Sequence, residues 1–371
     1  MDMLTVDVPV ENPYRVHIGT RLLERTGALV RPLVGGGRAA IVTDSHVGPL
    51  YAQIVEQSLA DAGFATTTFT FEAGEERKTL DTYGAILRHL ADHQLDRGDV
   101  VVALGGGVTG DMAGFAAATY LRGIAYVQVP TSLLAMVDSS VGGKCAVDLP
   151  QGKNLAGAFW QPRAVIADVG CLGTLSPEQL SDGCGEVIKH AVIADAALLA
   201  ALEEHPITVD ALARDLPLVA AIVARNVEIK RDVVIQDERE AGVRKLLNFG
   251  HSIGHAIEAR SRFALGHGTS VAMGMVAITR ATAKVADAPA DLRGLAERIA
   301  AVCAAHGLES ACPFAAEELI EAARHDKKRH GDAIDLVLPL GVASCTIQTV
   351  TLDQFFDLIR AGLSNKELTQ A

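Results

Sequence analysis

Three histidines in the second half of the chain have spacings that suit a compact polar site. His251 and His255 lie four residues apart, and His267 follows twelve residues later, in a segment whose periodicity predicts helix, loop, helix. Residues four apart on an α-helix share a face, so His251 and His255 can point into one cavity. Imidazole is the commonest metal ligand, although a His-x3-His pair without a third ligand is more often structural. Glycine lets backbones approach closely, and glycines surround all three histidines: Gly250, Gly254, Gly266 and Gly268.

A second candidate lies in residues 183–190, GCGEVIKH. Glu186 is followed by Lys189 at three residues and His190 at four, so both pairs can form on a helix. The spacing alone favours an ordinary helical ion pair. The apolar surroundings make a carboxylate costly there, however, unless it is paired or bound to a metal.

A glycine-rich turn, residues 104–111 (LGGGVTGD), follows a predicted strand and opens a predicted helix. Through Gly105, Gly107 and Gly110 it matches G-x-G-x-x-G, in which backbone N–H groups and a helix N-terminus hold a pyrophosphate. The sequence places no acidic residue about 20 residues later to bind a ribose hydroxyl, and Asp44, just after an earlier strand, is the alternative. Nucleotide binding is favoured over tight packing as the reason for the glycines.

Lysine follows glycine twice, at Gly143-Lys144 and Gly152-Lys153, in a region with little other charge. Such lysines can reach phosphate or carboxylate oxygens. The alternative is two solvated lysines, but the two pairs together favour one binding loop. The basic run at residues 324–329 is, taken alone, a solvated face.

Size and composition restrict the class of protein. A chain of 371 residues is long enough for two domains, and 49% hydrophobic with 21% charged residues is a globular composition. The net charge of −12 argues against a nucleic-acid partner. The start lacks the pattern of a signal peptide, and the sequence has no run of about 18 apolar residues to span a membrane. The six cysteines form no CxxC pair, which favours a reducing cytoplasm.

The first 170 residues alternate short apolar runs with helical patterns. Strands are predicted at 39–42, 66–70, 100–104, 125–129 and 164–167, and helices at 48–62 and 79–93. This alternation predicts a parallel, doubly wound sheet. From Ser176 onward the patterns are mainly helical, with a strand at 335–339 as the main exception. We therefore predict an α/β, Rossmann-like N-terminal domain (1–172) and a mainly α-helical C-terminal domain (173–371).

Taken together, these motifs resemble the 3-dehydroquinate synthase family over nearly the whole chain. The most specific segments are 105–111, 129–144, 152–154, 186–189 and 247–255. The resemblance implies a phosphate-eliminating lyase that converts 3-deoxy-D-arabino-heptulosonate 7-phosphate to 3-dehydroquinate, the second step of the shikimate pathway. It also implies NAD, one divalent metal (zinc or cobalt) and a homodimer. The departures are modest: Cys145 stands where Thr is usual, and residues 147–150 read VDLP where VNHP is common.

The resemblance also implies roles for individual residues. The metal ligands would be Glu186, His251 and His267, with His255 on the substrate side. The cofactor site would contain Asp44, Glu75, Lys78, Gly106, Gly107, Asp111, Thr131, Ser132, Lys144, Lys153 and Thr174. The catalytic residues would be Lys144, Lys189, Lys230, Arg244, Asn248 and His255. The other substrate-binding residues would be Arg122, Asp138, Lys153, Asn154 and Lys327 or Lys328.

Three alternatives remain at this point. Related sugar-phosphate cyclases share the architecture but tend to differ around the Gly-Gly-Lys and Asn-Phe-Gly-His motifs. A metal- and NAD-dependent polyol dehydrogenase needs exchangeable NAD and few phosphate-binding cations, whereas this chain has Lys144, Lys153, Lys189 and Arg244. A catalytically silent nucleotide-binding protein would have lost the metal ligands, and all three are present.

Overall fold

The structure is a computed structural model that describes residues 3–285, 288–327 and 333–364, without the side chains of residues 325–327. The chain divides into two compact units. The first contains Met1–Leu175 and Leu212–Arg239, and the second contains Ser176–Ala211 and Glu240–Ala371. The boundary predicted at 172 lies close to the first division, but the helix within Leu212–Arg239 groups with the first unit.

The strands are β1 (Leu4–Val8), β2 (Tyr14–Gly19), β3 (Arg38–Asp44), β4 (Ala65–Phe71), β5 (Val100–Gly105), β6 (Ala125–Pro130), β7 (Lys144–Leu149), β8 (Gly152–Phe159), β9 (Ala164–Asp168), β10 (Ala333–Gly341) and β11 (Ser344–Thr351). The helices are α1 (Thr26–Val30), α2 (Gly48–Asp61), α3 (Leu80–Asp92), α4 (Gly107–Thr119), α5 (Pro177–Ala194), α6 (Ala196–Glu204), α7 (Val209–Arg214), α8 (Leu216–Val234), α9 (His251–Arg260), α10 (His267–Ala283), α11 (Leu295–Ala305), α12 (Ala316–Lys327) and α13 (Leu352–Leu363).

The first unit is built on a seven-stranded sheet of order β1-β2-β9-β6-β5-β3-β4. All neighbours pair in parallel except β1, which runs antiparallel to β2 at the edge. The five predicted strands of this region are confirmed as β3, β4, β5, β6 and β9. Every residue of β5 is buried, as expected for a parallel strand covered on both faces. The predicted α/β class is therefore confirmed.

The unpredicted strands explain why α8 belongs to this unit. β1 and β2 mix apolar residues with Asp7, Arg15 and His17, so the sequence gives no continuous apolar run there. Helix α8 packs against both of these strands. A single boundary in the sequence cannot describe a unit to which the chain returns at Leu212–Arg239.

The direction in which the chain adds successive strands to the sheet reverses between β3 and β5. From β3 the chain continues through α2 to β4 on one side, and from β5 through α4 to β6 on the other. In parallel sheets, ligands bind outside the carboxyl ends of the strands at such a switch point. The glycine-rich turn follows β5 at this position.

The second unit is largely helical, with the β10–β11 hairpin as its sheet, so the strand predicted at 335–339 is confirmed. Helix α10 lies at its centre and packs against α5, α9, α11 and α13. Glycine permits the closest of these approaches: a Cβ atom at Gly268 would overlap the backbone of Asp182 in α5, and one at Gly274 would overlap the backbone of Gly250.

All six cysteines are free thiols. Within the described ranges, none of the helices combines the length and the apolar character that a membrane span requires.

Candidate metal centre and dinucleotide loop

Two histidines and one carboxylate converge in the second unit. The Oε1 atom of Glu186 lies 3.5 Å from His251 Nε2 and 3.3 Å from His267 Nε2. The ligand atoms of the three residues all lie within 4.8 Å of one another. Two imidazoles and one carboxylate are a typical ligand set for a catalytic zinc or cobalt ion, which keeps a further position open. The residues present therefore fit a divalent metal.

Helix starts position both histidines. His251 is the first residue of α9 and follows Gly250, whose φ of 79° is left-handed. His267 is the first residue of α10. Asp182, one turn before Glu186 on α5, accepts hydrogen bonds from the backbone N and the Oγ1 of Thr269, at 2.9 and 3.2 Å. Helix α5 thus holds the start of α10 through the carboxylate of Asp182 and contacts His267 through the carboxylate of Glu186.

Each histidine is anchored through its other ring nitrogen. His251 Nδ1 lies 3.2 Å from the carbonyl oxygen of Phe249, and His267 Nδ1 lies 3.2 Å from Glu258 Oε1. A carbonyl oxygen and a carboxylate oxygen both accept hydrogen bonds, so Nδ1 donates in each case. Metal ligation then falls to the other ring nitrogen, Nε2, which faces Glu186 in both residues and binds a metal once it carries no proton.

The charges of the cluster are coupled. Glu186 is fully buried and forms an ion pair with Lys189, which is also buried. Burial lowers the pKa of His251 to about 3 and outweighs the attraction of Glu186. Burial opposes protonation of His267 as well, but its hydrogen bonds to Glu186 and Glu258 raise its pKa to about 10. The two carboxylates thus favour the protonated form of His267, and a cation bound at Nε2 would displace that proton.

His255 lies beside the cluster and outside it. Its side chain is 54% exposed, and its Nε2 lies 4.0 Å from Glu258. Its ring centroid is 5.5 Å from that of His251. This position agrees with a substrate-side role and not with ligation together with Glu186.

The structure places the remaining predicted residues of the second unit as follows. Arg244 is buried, and Asn248 Nδ2 donates to Glu240 Oε1 at 3.3 Å. The side chain of Lys327 and the whole of Lys328 lie outside the described residues.

In the first unit, the glycine-rich turn connects the end of β5 to the start of α4. Gly106 is the N-cap of α4, and a Cβ atom there would lie 3.5 Å from Ser132 Oγ, an ordinary contact. At Gly105 and Gly110, in contrast, a Cβ atom would overlap Thr109 and crowd Gln128. Tight packing therefore explains Gly105 and Gly110, whereas the protein leaves room for a side chain at Gly106.

Asp44 lies at the end of β3, beside β5 in the sheet. Its Oδ1 accepts hydrogen bonds of 2.9 Å from the backbone N atoms of His46 and Val47. Its Oδ2 accepts one of 3.3 Å from Thr109 Oγ1 on α4. The switch point thus places this carboxylate next to the glycine-rich turn, although it precedes the turn by some 60 residues in the sequence.

Lys78 connects three segments around the turn. Its Nζ donates to Asp111 Oδ2 on α4 at 2.6 Å and to Asn154 Oδ1 on the β7–β8 hairpin at 2.5 Å. The backbone N of Asn154, at a φ of 56°, donates to Asp148 Oδ1 at 2.7 Å. Lys153 Nζ lies 3.4 Å from Glu75 Oε1. This network brings five predicted residues together: Glu75, Lys78, Asp111, Lys153 and Asn154.

The two Gly-Lys pairs do not form one loop. Lys144 begins β7 and pairs with Phe159, whereas Lys153 is the second residue of β8, six positions from Phe159. At about 3.3 Å per strand residue, the two lysines lie at opposite ends of the hairpin. The expectation of a single binding loop is wrong, because the intervening residues form strands.

The other predicted residues of the first unit lie in three places. Lys230 Nζ on α8 donates to Asp138 Oδ1 at 2.7 Å and to the Asp138 carbonyl oxygen at 2.5 Å. Arg122 is exposed in a turn with a φ of 66°, which costs energy in a residue other than glycine. Thr131 and Ser132 follow the end of β6, and Thr174 ends the short helical segment Val169–Thr174 that comes after β9.

Sequence reasoning missed two residues that hold the metal centre. Asp182 lies four residues before Glu186, and Glu258 lies seven residues after His251, so each shares a helix face with a predicted ligand. The spacing was visible in the sequence, but the helix that each carboxylate meets was not.

Comparison with known proteins identifies relatives over 96% of the chain. The family model for the N-terminal part of 3-dehydroquinate synthase matches residues 68–182, and the model for the C-terminal part matches residues 183–329. A 3-dehydroquinate synthase of Streptococcus suis (strain 05ZYH33) is 42% identical over 359 residues, which cover 96% of this chain and 99% of the relative.

Two solved structures also resemble nearly the whole chain. The 2-deoxy-scyllo-inosose synthase complexed with carbaglucose-6-phosphate, NAD+ and Co2+ has a TM-score of 0.82 at 25% identity, covering 97% of this chain and 100% of that chain. The 2-epi-5-epi-valiolone synthase of Streptomyces hygroscopicus subsp. jinggangensis 5008, with NAD+ and Zn2+ bound, has a TM-score of 0.81 at 26% identity, covering 94% and 95%.

Proposed function

The chain belongs to the 3-dehydroquinate synthase family, and from this premise we infer that it converts 3-deoxy-D-arabino-heptulosonate 7-phosphate to 3-dehydroquinate and phosphate. The observation that carries this inference is the convergence of His251 Nε2 and His267 Nε2 on Glu186. These residues stand in the family's motifs and are suited to the metal that the reaction needs.

Two bound groups supply chemistry that side chains lack. NAD would provide a hydride acceptor that later returns the hydride, and a zinc or cobalt ion held by Glu186, His251 and His267 would provide a Lewis acid at a hydroxyl group. The bound NAD+ with Co2+ or Zn2+ in the related synthases supports both. The overall reaction breaks one C–O bond to phosphate and forms one C–C bond, with no net oxidation.

The first unit would bind the dinucleotide. Backbone N–H groups at Gly106 and Gly107 would hold the pyrophosphate at the start of α4, and Asp44 would accept hydrogen bonds from ribose hydroxyls. The rest of the cofactor site would be formed by Glu75, Lys78, Asp111, Thr131, Ser132, Lys144, Lys153 and Thr174. The position of the turn at the switch point of the sheet supports this assignment.

Cationic and amide side chains would bind the substrate's phosphate and carboxylate. The net charge of −12 makes local cations necessary for an anionic ligand. In the second unit we assign this role to Lys189, Arg244, Asn248 and His255. In the first unit we assign it to Arg122, Lys144, Lys153, Asn154 and Lys230. Asp138, the ion-pair partner of Lys230, would meet the substrate beside them.

These residues would act mainly by positioning the reacting atoms. Lys189 is held by Glu186, and Lys230 is held by Asp138, so their ammonium groups are oriented before a ligand arrives. Fixed hydrogen-bond donors lower the barrier because the ordering of the reactants is complete on binding. The leaving phosphate can itself accept the proton in the elimination, so that step needs no separate side-chain base.

We further propose a cytoplasmic homodimer. Six free thiols support a reducing compartment, and the dimer rests on the family resemblance alone. Light scattering after size-exclusion chromatography, at several protein concentrations, tests the dimer by its mass of twice 39.0 kDa.

The activity is tested by incubating the purified protein with the heptulosonate phosphate, NAD and Co2+ or Zn2+. Release of phosphate together with dehydroquinate is the expected result. Sugar phosphates that related cyclases use and simple polyols serve as competing substrates in the same assay. Turnover of a polyol with accumulation of NADH, or cyclisation of another sugar phosphate alone, would refute the proposed activity.

A further inference from the structure

His267 is held between two carboxylates. Its Nε2 faces Glu186 at 3.3 Å, and its Nδ1 faces Glu258 Oε1 at 3.2 Å. Glu258 is 5% exposed. A buried carboxylate costs free energy unless it is paired or hydrogen-bonded. The contact of Glu258 with the imidazole of His267 is therefore a specific interaction and not that of a solvated surface group.

The two histidines of the cluster differ in this respect. His251 Nδ1 is anchored by the backbone carbonyl oxygen of Phe249, two residues away in its own segment. His267 is anchored by a side chain on another helix, since Glu258 lies on α9 and His267 begins α10. The local chain fixes His251, whereas the orientation of His267 depends on Glu258.

The geometry of α9 links Glu258 to the metal centre. His251 and Glu258 lie seven residues apart, or about two helical turns, so one face of α9 carries a ligand and the partner of another ligand. A hydrogen bond to a carboxylate is stronger than one to a neutral carbonyl and makes the imidazole a better electron donor. Glu258 thereby both orients the ring of His267 and favours ligation through its Nε2.

We propose that Glu258 is a positioning residue, which holds His267 with Nδ1 protonated and Nε2 directed toward the metal ion. The assignment rests on the metal centre proposed above. It adds a residue that does not touch the ion and acts through His267.

Metal affinity tests the assignment directly. Dissociation constants for Co2+ and Zn2+ are measured by competition with a chelator for wild type, Glu258→Gln and Glu258→Ala. We expect Glu258→Ala to bind about 10- to 100-fold more weakly. Glu258→Gln should lie between it and wild type, because the amide oxygen still accepts a hydrogen bond. Glu318→Gln is the matched control: this glutamate bonds to Arg260 of α9 but contacts no histidine of the cluster, and its affinity should equal that of wild type.

The outcomes separate the two proposals. Failure of the wild type to bind either ion would refute the metal centre, and the role of Glu258 with it. Equal affinity of wild type and both Glu258 variants would refute the role of Glu258 alone. Nitrogen NMR of histidine in the zinc-loaded wild type gives a readout that a purely structural role would not move. A protonated Nδ1 on His267 is expected, and an unprotonated Nδ1 would overturn the assignment even if Glu258→Ala fails to fold.

Discussion

The proposed metal centre of the second unit and the glycine-rich turn of the first unit would bind their ligands by opposite means. In the proposed metal centre, side chains of Glu186, His251 and His267 would provide the binding atoms, and the carboxylate of Glu186 is fully buried. In the turn, the backbone at Gly106 and the start of α4 would provide the binding groups, while side chains such as Lys78 hold the surrounding segments.

This difference determines which mutations each site tolerates. Removal of a side chain from the metal centre takes away a ligand and leaves buried charge unbalanced. Addition of a side chain to the turn blocks the approach of a ligand to the backbone. Truncation should therefore damage the metal centre most, and enlargement of a glycine should damage the turn most.

The largest effect is expected from His267→Ala, which removes a ligand. Metal binding should be abolished, and kcat/KM should fall by about 1,000-fold or more. His255→Ala is the comparison, because this residue lies outside the cluster with Glu186. It should lower turnover while changing metal affinity by less than about 10-fold. Metal content and kinetics measured on both variants check this, and equal metal loss in the two would show that the ligands are wrongly assigned.

The next largest effect is expected where a buried ion pair supports the turn. Lys78→Met removes the partner of Asp111, and breaking a buried pair in this way should cost about 3 kcal/mol of unfolding free energy. Lys245→Met is a matched control, since Lys245 and Asp335 are also 2.6 Å apart but about one-third exposed. That surface pair should contribute only about 0–1 kcal/mol.

Urea denaturation of the two lysine variants measures the difference. Similar losses of unfolding free energy in Lys78→Met and Lys245→Met would contradict the account, because burial would then not distinguish the pair that supports the turn.

A smaller effect separates ligand binding from packing within the turn itself. Gly106→Ala adds a Cβ atom that the fold accommodates, so stability should stay near wild type while NAD affinity falls about 10-fold, or about 1.4 kcal/mol. Gly110→Ala forces a Cβ atom against the Gln128 side chain and should cost about 1–3 kcal/mol of stability. Calorimetric titration with NAD and thermal unfolding of both variants test this. Unchanged NAD affinity in Gly106→Ala would remove the argument that this glycine faces the cofactor.

The smallest effect is expected at Cys145, where the family resemblance implies threonine as the usual residue. Its Sγ is buried against Tyr126 and fills the space that a Cβ atom at Gly114 would overlap. Burial raises its thiol pKa to about 12. The residue is therefore a protonated core side chain and not a nucleophile. Cys145→Thr should leave kcat within about threefold and stability within about 1.5 kcal/mol of wild type, as steady-state kinetics and thermal unfolding can establish. A large fall in kcat at unchanged stability would contradict this.

The sequence alone was sufficient to predict the central strands, but it was not sufficient to identify several residues of the candidate site. Residues 100–105 are apolar throughout because the strand is covered on both faces, so the pattern is clear. Glu186 lies 65 residues before His251, and its spacing to Lys189 favours an ion pair, which the structure also contains. Without the family resemblance, nothing in that spacing identifies it as a metal ligand.

The contacts of the residues that support the two sites, such as Glu258 and Lys78, could not be predicted from the sequence, because only the fold reveals them. Glu258 meets His267 because α9 and α10 pack closely, and Asn154 meets Lys78 because a hairpin folds over the segment after β4. Local spacing carries no information about such contacts between distant segments. The two Gly-Lys pairs show the same limit, since the strands between them were not visible as strands.

The ratio of phosphate released to NADH accumulated tests the central claim most directly. The purified protein is incubated with the heptulosonate phosphate, Co2+ or Zn2+, and NAD far below the substrate concentration. We expect phosphate and dehydroquinate to form in equal amounts, far beyond the amount of NAD, with no net accumulation of NADH. Turnover that stops when the NAD has been reduced, with NADH equal to the product formed, would contradict that claim.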